Sequence, residues 1–309
     1  MFATLTRGTA LAALALSLSS TGALAQGWQS ELPAFRVGLL GGENEADRLR
    51  KNECMVEQLG ELLGVPVELY PASDYAGVMQ GLVAGQLDAA QLGASAYAGI
   101  YIQDPEAVEP IFVALEADGS DGYYAMMYAR SDSGIASIDD MQGKSLAFAD
   151  PNSTSGYLVP KAQLELSGID IESYFSSTGF GGGHEQALVA VLNGQYDAGV
   201  TWTSGVGEKS EGFSRGALRS MVDKGLLDMA DLDIVWTSDI IPNGPWVIRK
   251  SAPQEAKDIA IAWMETLRDT DYDCYVDVSQ GDGQGFKRVD HTFFEGIVAM
   301  RRAELEGSR

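Results

Sequence analysis

The feature that most constrains this chain is a short motif that occurs twice. Leu82-Val83-Ala84-Gly85-Gln86-Leu87-Asp88-Ala89 returns as Val191-Leu192-Asn193-Gly194-Gln195-Tyr196-Asp197-Ala198. In each copy an apolar helical stretch stops at a glycine suited to the C′ position and turns through Asp-Ala into a strand. A helix that feeds directly into a strand is half of a βαβ unit. The copies stand on either side of a long run of β-formers at 122–130. Two similar α/β lobes, joined by strands near 125–130 and 234–248, satisfy this pattern. Chance similarity is the alternative, since the match is short.

The rest of the chain keeps the same alternation. Strands are expected at 35–40, 65–70, 87–92, 108–115, 144–149, 196–202, 232–236 and 245–248, with helices between them. Two helices, 253–267 and 290–305, close the chain. Alternating strands and helices predict an α/β fold with mostly parallel pairing. Ligands of such sheets bind beyond the carboxyl ends of strands, and clefts between lobes are preferred sites.

The first residues read as a secretory leader. Arg7 is followed by small apolar residues over 8–18, and Ala23-Leu24-Ala25 gives a cleavage site after Ala25. No Cys follows the cut to carry a lipid anchor, and the apolar run is too short to span a membrane. Export without an anchor points to a periplasm. Of the 21 basic side chains only Arg7 lies in the leader, so 44 acidic ones face 20 basic ones in the exported chain. That balance argues against nucleic acid or an anionic membrane surface as partner. A small anion would have to be held by local hydrogen bonds.

Cys54 and Cys274 permit one disulfide in an oxidising compartment; two free thiols are the alternative. Only His184 and His291 are present, and no pair has zinc-ligand spacing. His184-Glu185 lacks the second His of a zincin motif. Asp269, Asp271 and Asp273 start like a calcium loop, but Cys274 and Gln280 occupy positions that need Gly and Glu. Neither a metal nor another cofactor is expected.

One stretch carries the clearest chemistry: Asp150-Pro151-Asn152-Ser153-Thr154-Ser155-Gly156-Tyr157-Leu158. Pro151 ends the preceding strand, and Asn152, Ser153 and Thr154 are all good N-cap residues. A helix start offers unpaired N–H groups and partial positive charge, which together suit an anion. The three hydroxyls add donors, although they serve equally well as caps alone. Other donors also follow strand ends: Tyr75, Tyr97, Tyr123, and His184 after three glycines. Trp202, Ser204 and Trp246 lie near the same ends.

These residues carry a resemblance. The 150–160 run, Ser73-Asp74-Tyr75-Ala76-Gly77-Val78, Asp121-Gly122-Tyr123-Tyr124, Gly182-Gly183-His184-Glu185 and Ile240-Ile241-Pro242 occur in order across nearly the whole exported chain. The chain thereby resembles the periplasmic phosphonate-binding proteins, the PhnD-like receptors of phosphonate, phosphite and phosphate ABC transporters. The resemblance implies a two-lobed class II periplasmic binding protein, with 26–127 plus 240–309 as one lobe and 128–239 as the other. It implies that Ser153, Thr154, Ser155 and His184 hold the phosphonate oxygens, with Tyr75 and Tyr123 lining the cleft. Tyr97, Trp202, Ser204 and Trp246 would form the substituent end. Members that take aminoalkylphosphonates carry a Glu and an Asp where this chain has Ser204 and Gly244, so an amine on the ligand is not expected, unless Asp239 or Glu208 replaces them. The partner implied is an ABC permease in the inner membrane, met by a monomer that is no enzyme. A Ser153 or Ser155 hydrolase with His184 as base is the rival reading; no Gly-x-Ser-x-Gly elbow supports it.

Overall fold

The computed structural model describes residues 27–307. The leader and its expected cut after Ala25 lie outside the described residues. The chain begins with β1 (Phe35–Leu39), α1 (Glu45–Lys51), α2 (Glu53–Leu63), β2 (Val67–Pro71), α3 (Tyr75–Val83), β3 (Ala89–Gln91), α4 (Ala94–Gln103) and β4 (Val108–Ala114). It then crosses over to β5 (Gly122–Arg130), β6 (Ser145–Phe148), α5 (Val159–Leu166), α6 (Ile171–Tyr174), β7 (Ser177–Phe180), α7 (His184–Leu192), β8 (Ala198–Thr203), α8 (Ala217–Asp223), β9 (Leu232–Thr237) and β10 (Ile241–Pro242). It returns through β11 (Pro245–Arg249), α9 (Gln254–Thr270), α10 (Tyr272–Ser279), β12 (Phe286–Arg288) and α11 (Glu295–Gly307).

Two sheets result. The first has the order β12-β4-β11-β3-β1-β2, and the second β10-β5-β8-β6-β7 with β9 also paired to β5. Parallel pairing is confined to β2-β1-β3 and β7-β6-β8. The remaining pairs are antiparallel: β5 and β11, each the first strand after a crossover, enter their sheets against the direction of the βαβ strands, and β12 returns against β4. The fold is thus the expected two-lobed α/β arrangement, with less parallel pairing than alternation alone predicts. The expected division after 127 falls inside β5, which pairs only within the second sheet, and β10 belongs to that sheet as well.

The twice-occurring motif has one physical role in both lobes. Gly85 and Gly194 take φ of 68° and 71°. The next residues donate back in the same way, Gln86 N to Gly81 O and Gln195 N to Ala190 O, at 2.8 and 2.9 Å. The Asp then caps the neighbouring parallel strand: Asp88 Oδ2 accepts from Arg36 N at 2.9 Å, and Asp197 Oδ2 from Ser145 N at 2.8 Å. Asp88 is fully buried and also accepts from Arg249.

Apolar clusters cover both faces of both sheets. Tyr75, Val78, Leu82, Ile100 and Phe294 pack one face of the first sheet, while Phe35, Met55, Leu59, Trp263 and Tyr275 pack the other. On that second face Cys54 of α2 is bonded to Cys274 of α10 with Cα atoms 5.8 Å apart. In the second sheet, Leu146, Phe148 and Leu164 form one cluster and Leu188, Val191 and Leu218 the other.

Candidate functional site

β6 ends at Phe148, and Asp150 Oδ1 accepts from Asn152 N at 2.7 Å, which turns the chain. Ser153 is extended and its Oγ accepts from Gly156 N at 3.0 Å, a true N-cap. The helix does not start as an ordinary α-helix. Residues Thr154–Leu158 form a wider π-helical turn before α5, a form often met at functional sites. Ser153, Thr154 and Ser155 are all buried, and all line a cavity of about 140 Å³ between the two sheets.

The walls of that cavity come from both lobes. Tyr75, the first residue of α3, stands behind the Asp74 cap, whose Oδ1 accepts from Gly77 N at 2.9 Å. Gly93, ahead of α4, lines the cavity from the same side. Tyr123 of β5 and His184, the first residue of α7, face it from the second lobe. The buried His184 ring lies between two hydroxyls, with Nε2 3.2 Å from Ser153 Oγ and Nδ1 3.2 Å from Thr201 Oγ1. Burial without a carboxylate lowers its pKa to about 4, so the imidazole is neutral at pH 7. Burial raises the Tyr123 phenol, partly offset by hydrogen bonds with Ser155 and Thr154. Burial likewise raises the Tyr75 phenol, with the Glu43 charge adding to the effect.

Of the residues expected at the substituent end, Trp202 and Trp246 line the cavity and Tyr97 and Ser204 do not. Tyr97 lies on a helix buried on nearly every side, so spacing could not tell which face meets the cleft; its hydroxyl pairs with His291 Nδ1 at 2.9 Å and its ring packs on Phe294. Ser204 turns its Oγ to Ser214 Oγ, 2.9 Å away. Asp239 and Glu208 are not among the lining residues, whereas Gly244 is.

Sequence reading missed several lining residues, including Glu43, Arg48, Lys51, Arg215, Asn243 and Asp277. Arg48 donates to the carbonyls of Leu39, Leu40 and Ala72 at the ends of β1 and β2. Burial raises the Glu43 carboxyl, with Glu185 adding to the effect and Lys51, Lys224 and Arg48 opposing it. Arg215 Nη2 donates to Glu116 Oε1 at 2.8 Å. Its partner is 99 positions away in sequence, so no local pattern could announce the pair.

The lobes meet around this cavity. A side chain on Gly42 would put its Cβ 2.7 Å from Gly183 Cα, so two glycines form the contact. Lys224 binds both Glu185 of α7 and Asp47 of α1. Arg301 of α11 donates to Pro151 O at 3.1 Å and Asn152 Oδ1 at 2.8 Å. Thr154 Oγ1 accepts from Ser95 N at 2.9 Å.

Chemically, Ser153, Thr154, Ser155, Tyr75, Tyr123 and His184 are neutral donors, most of them at helix starts, in a cavity that charged Arg48, Lys51 and Arg215 also line; such a set suits an oxyanion excluded from water. As a hydrolytic pair, Ser153 and His184 are poorly equipped. The second ring nitrogen meets a hydroxyl rather than a carboxylate, and the lowered pKa makes the ring a weak base at neutral pH.

Residues 37–290 match the family model described as "ABC transporter, phosphonate, periplasmic substrate-binding protein". The chain is 32% identical over 246 residues to the phosphate-import protein PhnD of Mycolicibacterium smegmatis, covering 74% of this chain and 73% of that one. It is 30% identical to the phosphonates-binding periplasmic protein of Escherichia coli, covering 73% of this chain and 63% of that protein. Among solved structures, a binding-protein component of an ABC phosphonate transporter from Pseudomonas aeruginosa superposes with a TM-score of 0.74 at 25% identity, over 87% of this chain and 85% of that one. PhnD1 of Prochlorococcus marinus, solved with methylphosphonate, superposes with a TM-score of 0.73 at 17% identity, over 88% and 98%.

Proposed function

The chain belongs to the periplasmic substrate-binding proteins of phosphonate ABC transporters, and on that premise we propose that it captures a phosphonate or related small phosphorus oxyanion between its lobes. The observation that carries the reading is the meeting of Ser153, Thr154, Ser155, Tyr75, Tyr123 and His184 at one cavity. Those six residues hold the oxyanion by hydrogen bonds. Charge-assisted bonds are the strong kind, so neutral donors suffice although the chain's formal net charge is −23. The lobes divide at the two connections 115–121 and 243–244, and these act as the hinge. The ligand touches both lobes, which gives the closed form its differential affinity. The protein works as a monomer, freed by cleavage after Ala25 into the periplasm, and delivers its ligand to an inner-membrane permease without chemical change. It needs no cofactor and has no nucleic-acid partner.

The experiment is calorimetric titration of the mature protein with phosphate, phosphite, methylphosphonate, sulfate and acetate, with released phosphate assayed after incubation with methylphosphonate. Binding of a phosphorus oxyanion well ahead of sulfate and acetate, with no phosphate released, is expected. Equal binding across the panel, or turnover, contradicts the reading.

A further inference from the structure

A buried guanidinium also lines the cavity. Arg215 is only 4% exposed, lines the cavity, and lies 5.4 Å over the ring of Trp202. Trp202 in turn meets Tyr123 edge-on at 5.8 Å, and Tyr123 lines the same cavity as Ser155 and Thr154. Arg215, Trp202 and Tyr123 thus touch in turn along a wall of the cavity that also holds the hydroxyl run. Three oxygens converge on the guanidinium. Nη2 donates to Glu116 Oε1 at 2.8 Å and Asn243 Oδ1 at 3.2 Å, and Nη1 to Ser279 O at 3.1 Å. Asn243 Nδ2 also donates to Glu116 Oε1, which holds that carboxylate in place, and Glu116 is fully buried. A carboxylate, two carbonyl oxygens and an aromatic face are what an alkylammonium group requires of its site.

We propose that Arg215 is a tethered cation occupying a seat built for positive charge, and that it makes the protein refuse phosphonates whose substituent carries an ammonium group. The inference rests on the functional reading above and names the ligand class within it: bare phosphorus oxyanions and those with short neutral substituents. The guanidinium is tethered to the chain, so it fills the seat whether or not a ligand is bound. A ligand ammonium arriving there meets like charge and finds Glu116 Oε1, Asn243 Oδ1 and Ser279 O taken by the guanidinium, with Glu116 Oε2 the one acceptor of the seat left without a partner among the described residues. Two other carboxylates, Glu43 and Asp277, line the cavity. Burial and the Glu185 charge push the Glu43 carboxyl up, against the pull of Lys51, Lys224 and Arg48, which makes it a poor partner for an ammonium; Asp277 stands on α10, which packs against α1.

The test is titration with ethylphosphonate and 2-aminoethylphosphonate at neutral pH, on the wild type, Arg215→Met and the double variant Arg215→Met/Glu116→Gln. The wild type is expected to bind the aminated compound at least tenfold more weakly. Arg215→Met strips the cation from Glu116, Asn243 and Ser279, so the ratio should move at least tenfold toward the aminated compound; adding Glu116→Gln should cancel that gain. If melting shows that Arg215→Met does not fold, Arg215→Lys replaces it and should keep the refusal. Wild type that binds both compounds equally, or the aminated one more tightly, overturns the proposal and leaves the functional reading intact. So does an unchanged ratio in folded Arg215→Met. Binding of neither compound, together with failure of methylphosphonate, phosphite and phosphate, overturns the functional reading and this proposal with it.

Discussion

The Ser153 hydroxyl accepts from the Gly156 N–H and pairs with His184 Nε2, so one oxygen serves both the helix start and the cavity. The cap is therefore compatible with the proposed anion contact at this residue, because it orients a hydroxyl that lines the cavity. His184 carries a consequence for acid stability. Its pKa falls from 6.5 unfolded to about 4 folded because burial disfavours the imidazolium. The folded state thus favours the neutral ring, and the resulting stability is full above pH 6.5 and lost as pH falls toward 4. A shift of this size is worth roughly 3 kcal/mol. Urea unfolding of the ligand-free protein at pH 7, 5.5 and 4.5 should show a decline that His184→Asn flattens. An identical decline in the variant contradicts the assignment. The hydroxyl run, His184 and Tyr75 were readable because each follows a strand end, whereas Tyr123, expected after one, lies at the start of β5 itself and was marked only by the resemblance. Arg215 was not readable, because its acidic partner comes from a distant crossover.

At the scale of elements, the repeated motif was legible because a helix stop, a glycine and an Asp must fall in fixed order to turn a helix into a parallel strand. Its partners were not legible, since Arg36 and Ser145 lie 52 positions upstream of Asp88 and Asp197. The two copies also differ in burial, and that difference makes a prediction. Asp88 is buried and paired with Arg36 and Arg249, whereas Asp197 is exposed and bonds Ser145. Breaking a buried pair costs about 3–5 kcal/mol, and an exposed hydrogen bond about 1 kcal/mol. Asp88→Asn should therefore destabilise the protein by several times as much as Asp197→Asn in denaturant unfolding. Equal losses would mean that the motif's burial does not govern its worth. β7 escaped sequence reading for a related reason. Ser177, Thr178 and Phe180 are exposed on an edge strand, so no apolar alternation marks it.

The whole molecule is two lobes held around one cavity by Lys224, Arg301 and the approach of Gly42 to Gly183. Two-lobed architecture was legible in the alternation of elements, but the crossover points were not, because β5 reads as one unbroken run of β-formers whichever sheet it joins. Gly42 sits at φ 92° with no room for a Cβ against Gly183, so Gly42→Ala should hinder closure. We expect it to weaken oxyanion binding at least tenfold, with a loss of about 1 kcal/mol or somewhat more in the ligand-free protein. Unchanged affinity would show that this contact is not part of closure. The central claim is that the 153–155 run holds the anion. Two charge-assisted hydrogen bonds are each worth about 1.5–3 kcal/mol, and tenfold in affinity is about 1.4 kcal/mol. The direct measurement is calorimetric titration of Thr154→Ala/Ser155→Ala beside the wild type, using whichever phosphorus oxyanion the wild type binds best, with melting of both ligand-free proteins. At least a tenfold loss of affinity with nearly unchanged melting is predicted; unchanged affinity with a lowered melting temperature would contradict the claim.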